Sequence, residues 1–145
     1  MQKITIVCVG KIKENFYREA VGEYLKRLTR FAKVEIKEIA EGRTVEDEAP
    51  AILRALKGYI IALCVEGEPL SSEGLAARIK GLSDKGGEIT FVIGSSCGLS
   101  DAVKSKADFK LSFSEMTFPH QLMRVILCEQ IYRAFMINSG SEYHK

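Results

Sequence analysis

Apolar and polar positions along this chain follow two rhythms that replace each other at regular intervals. Lys3-Ile4-Thr5-Ile6-Val7-Cys8-Val9 is β-branched and apolar and closes at Gly10, as a buried strand does. From about Glu14 to Phe31 the period changes: Phe16, Ala20, Val21, Tyr24, Leu25 and Leu28 recur at helical spacing with charges between them. Val34 and Ile36 then alternate with Glu35 and Lys37 as a second strand. A polar loop leads through Thr44 to a short helix ending near Gly58, with Pro50 expected in its first turn or splitting it. Tyr59 to Val65 predicts a third strand, Gly67 and Pro69 a turn, and Ser71 or Ser72 the cap of a helix that stops at Gly86-Gly87. Glu88 to Ile93 reads as a fourth strand, Ser100 as the cap of a short helix, Phe109 to Phe113 as a fifth strand and His120 to Asn138 as a closing helix.

The order βαβαβαβαβα predicts an α/β fold, a mostly parallel sheet with helices on both faces, in one domain over residues 1–145. In the closing helix the polar residues change sides. His120, Gln121 and Arg124 share one side of the wheel, and Glu129, Gln130 and Arg133 lie roughly opposite. One sheet does not easily cover such a helix, so a second copy of the chain is expected to cover the rest, giving a homodimer. A two-sided core helix within a monomer is the alternative.

Composition narrows the class. With 46% hydrophobic and 28% charged residues, the chain fits an ordinary globule that buries a core. The longest apolar run, Tyr59 to Val65, is far short of a membrane span and the N-terminus carries no signal pattern, so a cytoplasmic protein is expected. Cys8, Cys64, Cys97 and Cys128 are scattered and both histidines lie far apart, which predicts reduced thiols and no metal site. The net charge of +2 does not argue for nucleic acid. Between Lys11 and Lys37, eight basic residues face four acidic ones, a local excess that a solvated helix face also explains.

Candidate chemistry sits at strand ends. Gly94-Ser95-Ser96-Cys97-Gly98 leaves a strand and enters a helix, where open α/β sheets bind ligands. It satisfies G-x-S-x-G, so a serine hydrolase with Ser96 as nucleophile and Asp101 or Asp108 with His120 is one reading. The five-residue connection before the helix cap is long for a strained elbow. Neither G-x-G-x-x-G nor a P-loop is present, which argues against a dinucleotide site and against methyltransferases with a glycine turn after strand one. Three segments remain: Leu63 to Gly67, Ile93 to Gly98, and Phe113 to His120. In a parallel sheet all three reach one crevice, and loop backbone with apolar walls suits a ligand such as adenine.

The run LSFSEMTFPHQLMRVILCEQIYRAFMI with the terminal Tyr143-His144-Lys145 resembles the signature of the RlmH (YbeA-like) family of ribosomal RNA methyltransferases. The likeness extends through VCVGKIKENF, EYLKRL, ALCVEGEPLSSEGLA and FVIGSSCGLSDAVK. It implies the SPOUT fold, in which the C-terminal chain of a parallel α/β sheet is threaded into a trefoil knot, a feature no periodicity reveals. It also implies methyl transfer from S-adenosylmethionine to N3 of a pseudouridine in the helix 69 loop of 23S rRNA, within the large subunit or assembled ribosome.

Carried over by motif, the cofactor contacts are Leu63, Gly94, Ser95, Phe113, Ser114, Glu115, Met116, Thr117 and Phe118. Relatives usually have glycine where this chain has Ser95, and a positive φ there would cost on the order of 1 kcal/mol. A non-catalytic ribosome-binding module is the reading this departure leaves open. N3 must lose its proton as it attacks, so the site needs alignment and a base, or donors for the anion. The resemblance implies that one subunit's tail completes the other's site. His144, Tyr143 and Arg133 are expected to be catalytic, and His120, Arg124 and Lys145 to hold substrate.

Overall fold

A computed structural model describes residues 1–144 of the chain, and its elements follow the expected order. Strands β1 (Gln2–Val9), β2 (Ala32–Ile39), β3 (Tyr59–Pro69), β4 (Ile89–Ile93) and β5 (Phe109–Ser112) form one parallel sheet in the order β2-β1-β4-β3-β5. Between and after them run α1 (Asn15–Leu28), α2 (Val45–Ala55), α3 (Ser72–Asp84), α4 (Asp101–Lys106) and α5 (His120–Asn138). The central strands are buried on both faces, which is why β1 and β4 read as continuous apolar runs. One core joins the sheet to α1, α3 and α5, and a second joins it to α2 and α4. Among the described residues no helix is long and apolar enough to cross a membrane.

Local chemistry sets most boundaries. Thr44 caps α2 in a reciprocal box with Asp47, Ser71 caps α3 through the Gly74 N–H, and Ser100 caps α4 through the Val103 N–H. Ser72 instead donates to Gln130 of α5 at 2.7 Å. Pro50 neither opens nor splits α2: the helix runs through it, forgoing one interior hydrogen bond while Ala49, Ile52 and Ala55 stay buried on the sheet. Phe16, expected on the apolar face of α1, is 62% exposed and leans on Tyr17. The basic excess of this region is partly used internally, because Arg18 braces the β1–α1 loop through Ile12 O and Asn15 while Arg27 and Arg30 lie over aromatic rings.

Two departures shape the site. Gly67 and Pro69 do not form the expected turn; β3 continues through them, and Leu111 of β5 is paired by both Leu63 and Glu68, so Cys64 to Gly67 bulge around the end of β5. A side chain at Gly67 would meet the Lys110 carbonyl at 2.8 Å. The second concerns α5, which packs on both α1 and α3 over the sheet. Much of the cover its two-sided pattern demands therefore comes from this chain itself, although Leu122, Val125 and Ile126 remain half-buried.

Candidate functional site

After β5 the chain turns back across the C-terminal ends of β3 and β4, and α5 begins beside β1. The loops so gathered enclose a cavity of about 590 Å³. Its walls come from Leu63 to Glu66, Ile93 to Leu99 and the Phe113 to His120 crossing, the three segments the sequence brings to one crevice. Of the expected cofactor contacts, Leu63, Gly94, Ser95, Phe113, Ser114, Met116, Thr117 and Phe118 line it, as does His120. Glu115 is not among the lining residues; it is exposed on the crossing.

Backbone geometry explains the glycine loop. A side chain on Gly94 would lie 2.3 Å from the Gly98 carbonyl oxygen, so that position accepts hydrogen only. Ser95 pairs with Gly98 in a tight turn in which the Gly98 N–H donates to Ser95 O at 2.9 Å and Gly98 takes the left-handed φ of 86°. Among the described residues no side-chain-bearing residue has a positive φ, so Ser95 carries none of the strain feared for it. Ser96 likewise lacks the strained backbone of a nucleophile elbow. Asp108 accepts from the Ile60 N–H at 2.8 Å and Asp101 opens α4, which leaves the hydrolase reading without its acid.

The cavity fits a ligand with a flat, neutral, hydrogen-bonding ring. Its walls are mainly apolar, with Leu63, Ile93, Leu99, Leu111 and Phe113 among them. Along 113–119, the hydrogen bonds among the described residues are Met116 N–H to Ser114 Oγ, Ser112 Oγ to Ser114 O, and Met123 N–H to Pro119 O. Other backbone donors and acceptors on that crossing have no partner among the described residues. Glu66, within the expected Leu63 to Gly67 segment, and Lys104, which the sequence did not point to, line the same cavity and pair at 2.6 Å. Their separation along the chain carries no periodic signal; only the fold brings them together.

A second cluster centres on Glu129. Its carboxylate accepts from Arg133 Nε and Nη2 at 3.2 and 3.1 Å and from the Tyr143 hydroxyl at 2.8 Å. Arg133 Nη1 lies 3.1 Å from His144 Nδ1, and His144 Nε2 contacts Glu73 at the start of α3. The neutral imidazole protonated on Nε2 satisfies both, donating to Glu73 and accepting from Arg133. The Tyr143 ring sits edge-on to Tyr132 and under the Arg133 guanidinium. The three residues expected to be catalytic are thus brought together, yet none lines the cavity of its own chain. Lys145 lies outside the described residues.

Donation to Glu129, reinforced by burial, pushes the Tyr143 phenol up to about 12. A phenol raised above its ordinary value stabilises the fold below pH 10 and loses that contribution as pH climbs from 10 towards 12. Tyr143→Phe is therefore expected to lower the melting temperature by a constant amount between about pH 6 and 9, and by progressively less above about 10. A melting difference that grows with pH would contradict this assignment. At neutral pH the phenol is protonated and donates to Glu129.

Arg124, expected to hold substrate, does not face the cavity. It is 0% exposed, its Nη1 2.8 Å from Glu38 and its Nη2 donating to Gly10 O at 3.0 Å. Its bonds to Glu38 at the end of β2 and to the Gly10 carbonyl just after β1 turn it inward. Cys8, Cys64 and Cys128 are buried and free, and Cys97 is exposed in the glycine loop. Among the described residues no group of three potential metal ligands occurs.

Residues 2–144 match the family model described as "Predicted SPOUT methyltransferase". A ribosomal RNA large subunit methyltransferase H from Bifidobacterium adolescentis is 48% identical, over 99% of this chain and 99% of that one. Its counterpart from Bifidobacterium animalis subsp. lactis is 50% identical, over 98% and 99%. Among solved structures, a methylase family protein from Haemophilus influenzae Rd KW20 is similar with a TM-score of 0.62 at 12% identity, covering 98% of this chain and 70% of that one. A SpoU methyltransferase from Streptomyces viridochromogenes, in complex with the cofactor AdoMet, gives 0.50 at 10% identity, covering 96% and 61%. At these identities the two structures speak for the fold.

Proposed function

The chain belongs to the SPOUT methyltransferase family, and from that premise we propose that it methylates N3 of a pseudouridine in the helix 69 loop of 23S rRNA, using S-adenosylmethionine. The observation that carries this reading is near-complete coverage at about half identity to large-subunit rRNA methyltransferases H, in a chain whose three strand-end loops enclose one apolar cavity. The 1–145 domain acts as a homodimer on the large subunit or assembled ribosome, in the cytoplasm. Its C-terminal chain forms a trefoil knot, a reading supported by the course of 113–120 from the sheet edge at β5 across β3 and β4 to β1.

When bound, S-adenosylmethionine supplies an electrophilic methyl group on a sulfonium. Leu63, Gly94, Ser95 and the Phe113 to Phe118 crossing hold it through backbone groups and apolar contact. The target base enters at the mouth of the cavity, where exposed Met116 and the His120 ring flank it. The Glu129, Arg133, Tyr143 and His144 cluster is prearranged but does not line its own cavity, and it serves the cavity of the partner subunit. Half-buried apolar residues on α5 support that pairing. Arg133 acts there on the uracil anion that forms as N3 gives up its proton to water, while Tyr143, its hydroxyl committed to Glu129, and His144 hold the guanidinium in place.

Calorimetric titration with S-adenosylmethionine and mass spectrometry of ribosomes from a strain lacking this activity test the reading together. One cofactor per cavity and a single new methyl group on the pseudouridine are expected. Failure to retain the cofactor, or a methyl group elsewhere, would overturn it.

A further inference from the structure

The crossing that walls the cavity has little holding it in the middle. Along 113–119 the hydrogen bonds among the described residues stay between 112 and 123, so the position of the crossing follows from its two ends. One end is β5, fixed by its ladder to β3. The other is the start of α5, on the opposite side of the sheet centre.

That second end is tied down by a fully buried cation. Arg124, in the second turn of α5, reaches Glu38 at the end of β2 at 2.8 Å and the Gly10 carbonyl at the end of β1 at 3.0 Å. The same Glu38 oxygen takes the Ile12 N–H at 3.2 Å, and Gln121 takes the Lys13 N–H at 3.0 Å. Arg124 Nε has no hydrogen-bond partner among the described residues. A buried guanidinium with one donor unsatisfied is an expensive way to fill space, and apolar side chains in place of the whole pair would serve stability as well or better. What the planar fork does, and an apolar chain cannot, is bridge two strand ends at fixed geometry.

We propose that Arg124 and Glu38 form a positioning latch that sets how tightly the cavity holds its cofactor, by fixing where the 113–119 crossing ends. This rests on the S-adenosylmethionine reading above. Arg124 is buried and does not line the cavity; it acts through the crossing.

The test uses Arg124→Met, Arg124→Lys and Glu38→Gln in the full-length chain, with calorimetric S-adenosylmethionine binding, amide exchange of the cofactor-free crossing and turnover at saturating cofactor. Arg124→Met is expected to weaken cofactor binding about tenfold and speed exchange at 114–118, while saturated turnover changes less than about threefold. Arg124→Lys should fall between, since one ammonium does not reproduce the fork, and adding Glu38→Gln to Arg124→Met should cost nothing more. Folded variants with a lower melting temperature but unchanged binding and exchange would reduce the latch to a structural contact. Should Arg124→Met not fold, Glu38→Gln, at a partly exposed carboxylate, decides alone, and unchanged affinity overturns the proposal. If the wild-type chain bound no S-adenosylmethionine the functional reading would fail, while exchange rates in the free protein would still decide the latch.

Discussion

Deleting Tyr143, His144 and Lys145 is expected to lower methyl transfer at least about a thousandfold while leaving S-adenosylmethionine affinity within about twofold. The two effects separate because the tail and the cavity are different parts of the molecule. Tyr143 and His144 contact Glu129, Arg133 and Glu73, and no cavity-lining residue belongs to that set. Losing the edge-on contact between Tyr143 and Tyr132 should cost on the order of 1 kcal/mol of stability, enough to shift the melting temperature but too little to unfold the chain. The residues lost are those that hold Arg133 in place for the anion, so the deficit belongs in turnover. Unchanged turnover would end the assignment of the tail.

Gly94→Val is expected to abolish cofactor binding, weakening it at least about a hundredfold, while the sheet still forms. Any Cβ at this position meets a backbone carbonyl at 2.3 Å, and backbone, unlike a flexible side chain, cannot step aside. The loop must open, and it forms one wall of the cavity. Ser95→Gly should be close to neutral, because Ser95 holds an ordinary φ. Wild-type affinity in Gly94→Val would refute the location of the site. Co-expressing this variant with the tail-less chain tests the dimer as well: mixed dimers carry one intact cavity opposite one intact tail. About a quarter of full activity should return if the tail works across the interface, and none if it works within its own chain.

How far the sequence spoke can be traced residue by residue. Lys3 to Val9 and Glu88 to Ile93 announced central strands because burial on both faces leaves Thr5 and Thr90 as the only polar residues between Ile4 and Val9 and between Ile89 and Ile93. Ser71 and Ser100, among the caps expected, mark helix starts because capping is a local hydrogen bond. Gly67-Glu68-Pro69 misled because a turn and an edge extension use the same residues, and pairing with Leu111, 43 positions away from Glu68, chose between them. Pro50 misled because burial of Ala49, Ile52 and Ala55 outweighs one missing hydrogen bond.

The cavity contacts followed from the resemblance together with strand-end logic, and all but Glu115 line the cavity. Arg124 could not be placed that way. On a helical wheel it shares a side with His120 and Gln121, and whether that side meets solvent or the ends of β1 and β2 depends on where α5 lies. By itself the sequence determined the element order, the parallel sheet, the family and the loops that meet at the strand ends, because periodicity, caps and motifs are written in neighbouring residues. Only the tertiary structure decided that α5 begins beside β1, that Arg124 is a buried tie and that the Glu129 cluster stands apart from the cavity of its own chain. Each of these is a contact between distant segments, fixed by how the chain crosses the sheet.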